Sequence, residues 1–319
     1  MTVIEVQNLT QVYGHERGVF DVSFNVEKGQ VFGFLGPNGA GKSTTIRHIM
    51  GFSKPQSGET RVFGLESFHN YYKILANVGY LPGEIALPEG LTGWEFIKMM
   101  SDLRHVHNKD LLNSLLEKFE LNPAGETKKM SLGDKRKLAI VTAFMGGPDV
   151  LILDEPTSGL DPVMQQVFID FVKEEKKKGK TILLSSHMFN EVEATCDNIS
   201  IIKDGKIVST FEASKIKHNE NKNFEVVLSN KQSYQKVLEA FPKGKKDTKV
   251  IKKVQILSSN PELLSVNIGV NDKDVNELVD KLSEFNIKSF KENKFTLEDY
   301  FMQFYREDKD FGGTKWKKK

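Results

Sequence analysis

An α/β fold built on a parallel sheet, joined to a smaller α+β domain, is the architecture this sequence predicts. Three observations carry that prediction. The apolar run Gln30–Leu35 (QVFGFL) leads into a glycine-rich turn and then into Thr44–Met50 (TTIRHIM), whose apolar residues recur at helical period. Two further apolar runs, Val150–Glu155 (VLILDE) and Thr181–His187 (TILLSSH), read as buried strands of the same sheet. From Asn223 the pattern changes to short alternating strands and short amphipathic helices. A chain of 319 residues exceeds the size at which one hydrophobic core keeps growing, which fits two domains.

The first element carries the strongest signal. Residues 36–44 read Gly-Pro-Asn-Gly-Ala-Gly-Lys-Ser-Thr, a complete phosphate-binding loop of the form G-x-x-x-x-G-K-[ST]. Its place between a strand and a helix separates it from a glycine-rich turn before an ordinary helix. Gly36, Gly39 and Gly41 let the backbone curl so that successive N–H groups point at one anion. Pro37, Asn38, Ala40 and Thr44 complete the candidate contacts. The helix starting near Lys42 adds the positive end of its dipole. The Lys42 ammonium can reach the β- and γ-phosphates, and the Ser43 hydroxyl can ligate Mg²⁺. A P-loop NTPase core that binds a nucleoside triphosphate is the expectation.

Met130-Ser-Leu-Gly-Asp134 comes next, followed by Lys135–Met145 (KRKLAIVTAFM) at helical period. Ser131 suits an N-cap and Gly133 frees backbone N–H groups, so this is a second anion-binding helix start. An ordinary capped helix is the plain alternative. Because the first loop already holds the phosphates, the simplest use for a second start is a nucleotide held by another copy.

Val150–Glu155 ends in two carboxylates. Asp154 is expected to hold the Mg²⁺ shell, and Glu155 to orient or deprotonate the attacking water. Pro156–Asp161 (PTSGLD) follows, then Thr181–His187. A lone histidine is more often structural, but His187 closes a strand parallel to the first, on the carboxyl edge where ligands collect in open α/β sheets. A neutral imidazole there can hydrogen-bond the γ-phosphate and report which nucleotide is bound.

Composition narrows the setting. Apolar residues make up 39% and charged residues 28%, with a mean hydropathy of −0.38, as in a soluble protein with a packed core. The net charge of +2 offers no global field for nucleic acid, and no nucleic-acid partner is expected. A single cysteine, Cys196, rules out an internal disulfide and suits a reducing cytosol. Met1–Leu9 carries Glu5 and lacks an apolar core, so no secretory leader is expected. No run of 18 apolar residues occurs, so the chain is not expected to cross a membrane by itself.

GPNGAGKST, MSLGD, LILDEPTSGLD and SSH, in that order, resemble the Walker A, signature, Walker B–D-loop and switch-histidine motifs of ABC-type ATPases. The resemblance spans about residues 2–215 and the four-motif combination is highly specific. It implies a head-to-tail dimer with two ATP molecules at the interface. Each would be held by the Walker A loop of one subunit and by Ser131 and Gly133 of the other. Tyr13 (QVYG) is similar to the aromatic that stacks on adenine, an ordinary half-buried strand aromatic being the alternative. Asp161 is similar to the residue that communicates across the dimer.

The pattern departs from the family in two places. The signature usually reads LSGGQ, and here Leu132 replaces a glycine and Asp134 the glutamine. Ser131 and Gly133, the positions expected to touch phosphate, are retained. Val78–Glu84 (VGYLPGE) is similar to the Q-loop, but Gly83 stands where glutamine is expected. Either Glu84 reaches the metal through water or no side chain serves there. Leu91–Leu103 (LTGWEFIKMMSDL) is an amphipathic helix with Phe96, Met99, Met100 and Leu103 expected in the core. Trp94 and Ile97 fall on a different stripe. In a transporter ATPase this neighbourhood forms the groove that grips a helix of the membrane subunit, and plain subdomain packing is the alternative.

Residues 1–217 are thus expected to form an ABC ATPase domain, with a helical subdomain at about 85–147. Residues 218–306 read as a C-terminal accessory domain. Phe224–Leu228, Tyr234–Phe241, Val250–Leu257, Leu263–Val270, Val275–Phe285 and Asn286–Phe290 give the order β-α-β-β-α-β of a ferredoxin-like unit, closed by a helix at Leu297–Tyr305. Extensions ending like FTLEDYFMQFY resemble those of the drug- and bacteriocin-export branch. Residues 307–319 read as a basic flexible tail, KWKKK at its end, and contact with anionic headgroups is the alternative. Glu174–Lys180 (EEKKKGK) is a solvated helix end.

The expected activity is ATP hydrolysis in an ABC exporter. A second ATPase subunit and a polytopic membrane permease subunit are the expected partners, with the chain peripheral on the cytoplasmic face of the cell membrane. A soluble ABC ATPase acting on ribosomes or DNA is the main alternative. Such relatives resemble fused cassettes or carry a long coiled-coil insertion, and this chain has one motif set with no heptad run between Thr44 and Ser131. An importer ATPase stays open, because fold-level analogy is weak warrant for direction.

Overall fold

β-Branched and aromatic residues alternating with polar ones make the first sixty residues strand-rich. The computed structural model describes residues 1–14, 17–217, 221–242, 254–293 and 296–306. β1 (Thr2–Tyr13) and β2 (Arg17–Glu27) form an antiparallel hairpin. β3 (Val31–Leu35), buried at every position, passes through the glycine loop into α1 (Lys42–Ile49). β4 (Ser57–Val62) and β5 (Leu65–Glu66) complete a sheet of order β2-β1-β4-β5. α2 (Tyr71–Asn77) and β6 (Val78–Leu81) follow.

Three longer helices come next: α3 (Gly93–Leu103), α4 (Lys109–Lys118) and α5 (Leu132–Phe144). A capping box between Thr92 and Glu95 starts α3. The spacing expectation for α3 needs correction. Phe96 and Ile97 are buried, Met99 and Met100 half-buried, and Leu103 is 68% exposed. Ile97 shares the inward face with Phe96, which turns Leu103 outward in the last turn. Arg104 instead anchors that end, donating to the Val78 carbonyl at 2.7 Å.

β7 (Val150–Asp154), α6 (Pro162–Lys177), β8 (Thr181–Ser186), α7 (Phe189–Thr195), β9 (Asn198–Lys203) and β10 (Lys206–Glu212) complete this part. The main sheet has the order β10-β9-β3-β8-β7-β6. It is parallel from β9 to β6, and β10 joins antiparallel at one edge. Its central strands β3, β7 and β8 are buried at every position, and on one face the β2 hairpin shares the covering with α1. Phe24 stacks on Phe32 at 5.0 Å in the core beside β3, each such ring worth about 1.5–3 kcal/mol of burial. Register decides what meets at the carboxyl edge: Leu35 pairs with Ser186, and Asp154 with Ser185. The loops leaving β3, β7 and β8 therefore emerge side by side. Among the described residues no helix is long and apolar enough to cross a membrane.

Ser214–Arg306 forms a second compact unit, separate from Met1–Ala213. After α8 (Ser214–Lys217) it contains β11 (Asn221–Leu228), α9 (Lys231–Ala240), β12 (Gln255–Asn260), β13 (Ser265–Asn271), α10 (Val275–Leu282), β14 (Ile287–Glu292) and α11 (Leu297–Arg306). The sheet is antiparallel throughout, in the order β12-β13-β11-β14. Val226, Val237, Ile256, Val266, Ile268 and Leu278 build its core. The first four residues of the expected strand Val250–Leu257, and the expected tail at 307–319, lie outside the described residues.

Candidate functional site

The loop after β3 is shaped by contacts only glycine permits. A Cβ on Gly36 would stand 2.5 Å from the Ile202 carbonyl oxygen. Gly41 has φ of +108°, and a Cβ there would meet Val19 Cγ1 at 2.6 Å. Gly41 is also the N-cap of α1, and no side chain caps that helix. The N–H groups of its first turn thus keep the partial positive charge that binds anions.

Lys42 is buried, 5% exposed. Its Nζ donates to the Gly36 carbonyl at 2.6 Å and the Pro37 carbonyl at 3.1 Å, and pairs with Glu155 Oε1 at 2.9 Å. Asn38, Gly39 and Ser43 are exposed, Ala40 is buried, and Thr44 is half-buried. Tyr13 is half-exposed at the end of β1, beside the Val12–Gly18 pair. The Gly18 carbonyl lies 3.4 Å from where a Gly41 Cβ would sit, so this hairpin flanks the loop.

The two carboxylates at the end of β7 occupy different environments. Asp154 is 2% exposed, and the Ser185 hydroxyl donates to its Oδ1. On its other side a Cβ at Gly83 would come within 2.9 Å of Asp154 Oδ2, so glycine is the residue that fits. Glu84 is exposed, one residue past this approach. Glu155 sits at φ of +49° with its N–H donating to the Ser185 carbonyl at 3.0 Å. A left-handed glutamate costs about 1 kcal/mol or more and persists where its surroundings over-determine it. Here Lys42 holds one carboxylate oxygen, and His187 Nδ1 lies 2.6 Å from the other. The imidazole is 46% exposed, so the cluster opens to solvent on that side.

The start of α5 stands apart from this cluster. Ser131 caps the helix, accepting from the Asp134 N–H at 3.1 Å, while its hydroxyl donates to Asp134 Oδ2 at 2.7 Å. A Cβ on Gly133 would sit 3.4 Å from the Gly159 carbonyl oxygen, which places the helix start beside the loop after β7. Asp161 ends that loop as the N-cap of α6, accepting from the Val163 and Met164 N–H groups at 3.0 Å each. These bonds hold its carboxyl below the usual range.

Three residues of the site escape motif reading. Ser185 orients Asp154. Glu191 is 1% exposed and accepts from the Ser186 hydroxyl at 2.6 Å, and burial pushes its carboxyl up to about 7. Arg136 is buried and donates to the Pro82, Gly83 and Ser158 carbonyls. Two serines closing a wholly buried strand are a usable sign that their hydroxyls have work, whereas nothing local marks Arg136 or Glu191.

The site can therefore hold an anion at the start of α1, a hard cation at Asp154, and a water near Glu155 and His187. Residues 19–158 match the family described as ABC transporter. The bacitracin transport ATP-binding protein BcrA of Bacillus licheniformis is 36% identical over 236 residues, covering 72% of this chain and 76% of that protein. The uncharacterized ABC transporter ATP-binding protein YcbN of Bacillus subtilis is 30% identical over 309 residues, 94% of this chain and 96% of its own length. A solved ATP-binding subunit of an ABC transporter superposes with a TM-score of 0.62 at 31% identity, over 67% of this chain and 92% of that one.

Proposed function

This chain belongs to the ABC transporter family of ATPases, and on that premise we propose that it is the ATP-hydrolysing subunit of an exporter. In this reading, two ATPase subunits close on ATP and drive a separate membrane permease. The observation that carries it is the chain of contacts Lys42–Glu155–His187 at the carboxyl edge, with Asp154 alongside.

Each residue then has a task. The loop from Gly36 to Thr44 wraps the phosphates with backbone N–H groups. Lys42 exchanges its bond to Glu155 for the β- and γ-phosphate oxygens. The freed Glu155 orients and deprotonates the attacking water, and His187 holds the carboxylate in place while facing the γ-phosphate. Tyr13, on the hairpin beside the loop, stacks on adenine. Ser131 and Gly133 serve the nucleotide of the second subunit, and Asp161 stands at the same junction.

Ser43 and Asp154 fit Mg²⁺. Asp154 is buried with one oxygen held by Ser185, and the other lies beside Gly83, where no side chain competes for it. Magnesium takes one or two protein oxygens and completes its shell with phosphate and water. When bound it neutralises charge developing on the β- and γ-phosphates. Glu84, exposed on the next residue, adds at most a water-mediated contact.

BcrA, a bacitracin transport protein by name, supports a transport role, and YcbN matches this chain along nearly its whole length. The outward direction rests on the C-terminal extension. Residues 218–306 act as an accessory domain of ferredoxin-like type, and residues 1–217 as the ATPase domain. The α3 neighbourhood, with Trp94 exposed beside buried Ile97, is the surface assigned to the permease. The chain is accordingly peripheral on the cytoplasmic face of the membrane. Glu155→Gln tests the assignment: steady-state hydrolysis should stop while ATP binding persists, and near-normal turnover would remove Glu155 from its role.

A further inference from the structure

Arg136 occupies a position that packing alone does not explain. It lies on α5, just past the Ser131 cap, and is 3% exposed. Burying a guanidinium is costly, and one with no carboxylate partner is costlier. Arg136 makes no ion pair among the described residues. Its donors go instead to three backbone carbonyls: Nε to Ser158 at 2.9 Å, Nη1 to Pro82 at 2.9 Å and Nη2 to Gly83 at 2.6 Å. Burial weighs against the charge, and Asp154 and Glu155 offset only part of that from a distance.

Those three carbonyls belong to two loops. Pro82 and Gly83 follow β6, and Gly83 is packed against Asp154. Ser158 belongs to the loop between Glu155 and Asp161, whose Gly159 lies beside Gly133 and Leu132 at the start of α5. Each carbonyl is held by a different nitrogen of one planar fork, whereas a lysine gathers its three donors on a single nitrogen and a glutamine offers one nitrogen.

We propose that Arg136 is a positioning residue that couples the two phosphate-facing regions of the chain. It ties the start of α5, with Ser131 and Gly133, to the loop against Asp154 and to the loop carrying Asp161. A shift at Asp154 or Gly83 is then passed to the half-site this subunit offers its partner, so occupancy of one site sets the geometry of the other. The inference deepens the proposed function and rests on it.

The test uses full-length Arg136→Gln and Arg136→Lys, with folding checked by circular dichroism. Fluorescent-ATP affinity of the isolated chain should stay within about threefold of wild type, because neither variant touches the Lys42 loop. The value of kcat should fall about 10- to 100-fold in both, the usual result of a small misplacement. The Hill coefficient for ATP hydrolysis should fall to 1. Amide hydrogen exchange at residues 82–84 and 157–161 should speed up in the nucleotide-free variants. Wild-type kcat and Hill coefficient in Arg136→Gln would overturn the inference, as would full rescue by Arg136→Lys, which keeps the charge and loses the fork. If Arg136→Gln does not fold, Arg136→Lys decides by the same readouts. A wild-type chain that neither binds nor hydrolyses ATP would instead defeat the proposed function, and the exchange measurement would still judge the clamp.

Discussion

Lys42 and Glu155 form an ion pair of 2.9 Å at the carboxyl edge of the sheet, with side chains only 5% and 16% exposed. The residue assigned to phosphate and the residue assigned to the attacking water thus hold each other in place. Breaking a buried pair from one side leaves an uncompensated charge, at a cost of about 3–5 kcal/mol. Lys42→Ala should therefore lower unfolding stability by that order and abolish ATP binding. Adding Glu155→Gln should restore most of the stability and none of the binding, as urea denaturation and nucleotide titration would show. A single variant as stable as wild type would mean the pair is not formed.

His187 fixes the second oxygen of the same carboxylate at 2.6 Å. Its removal leaves Glu155 free to turn away from the attacking water. His187→Ala should lower kcat about 10²-fold, within the range for a positioned base. ATP affinity should be nearly unchanged, since the phosphate loop is intact. An equal loss in affinity would place the histidine in binding instead.

Asp134 puts a carboxylate at a helix start assigned to a phosphate. It also engages the Ser131 hydroxyl at 2.7 Å, so that hydroxyl must turn before it can serve a nucleotide. Asp134→Gln removes a charge worth about 1 kcal/mol at such distances in water. ATP-driven association of subunits should strengthen about fivefold, read by sedimentation at varied ATP. Weaker association would show that Asp134 is needed as it stands.

Burial raises the Glu191 carboxyl from 4.5 to about 7, with Glu155 adding repulsion and Ser186 and Arg136 opposing it. Below pH 4.5 the group is protonated in both the folded and unfolded chain and has no pH-dependent effect. Between pH 4.5 and 7 the unfolded chain ionises first, so this group's contribution to stability falls as pH rises, and it levels off above 7. Relative to Glu191→Gln, the wild type should lose about 3 kcal/mol across that window. Chemical denaturation at pH 4.5, 6 and 7.5 reads the difference, and a flat one would mean Glu191 is not held protonated.

How much of this was legible depends on whether a residue's partner is local. Gly36 to Ser43 announce themselves because the loop geometry demands glycine at fixed steps. Asp154 and Glu155 stand out because carboxylates end a buried apolar run. Leu103 was misplaced because helical spacing defines a stripe without saying which residue centres it, and Ile97 displaced it. Arg136 was invisible because its acceptors are backbone carbonyls of loops distant in sequence, and a carbonyl leaves no mark on composition. Gly83 could be seen as a departure from the family pattern, but its close approach to Asp154 emerges only from the parallel pairing of β6 with β7.

The central claim is that a complete ATP site needs two ATPase subunits, one giving Lys42 and Glu155 and the other Ser131 and Gly133. Sedimentation velocity of the full-length Glu155→Gln variant with MgATP tests it most directly. The account predicts a dimer that returns to monomer when Ser131→Ala is added. A Glu155→Gln chain that binds ATP to saturation and stays monomeric, alone and with its permease, would contradict it.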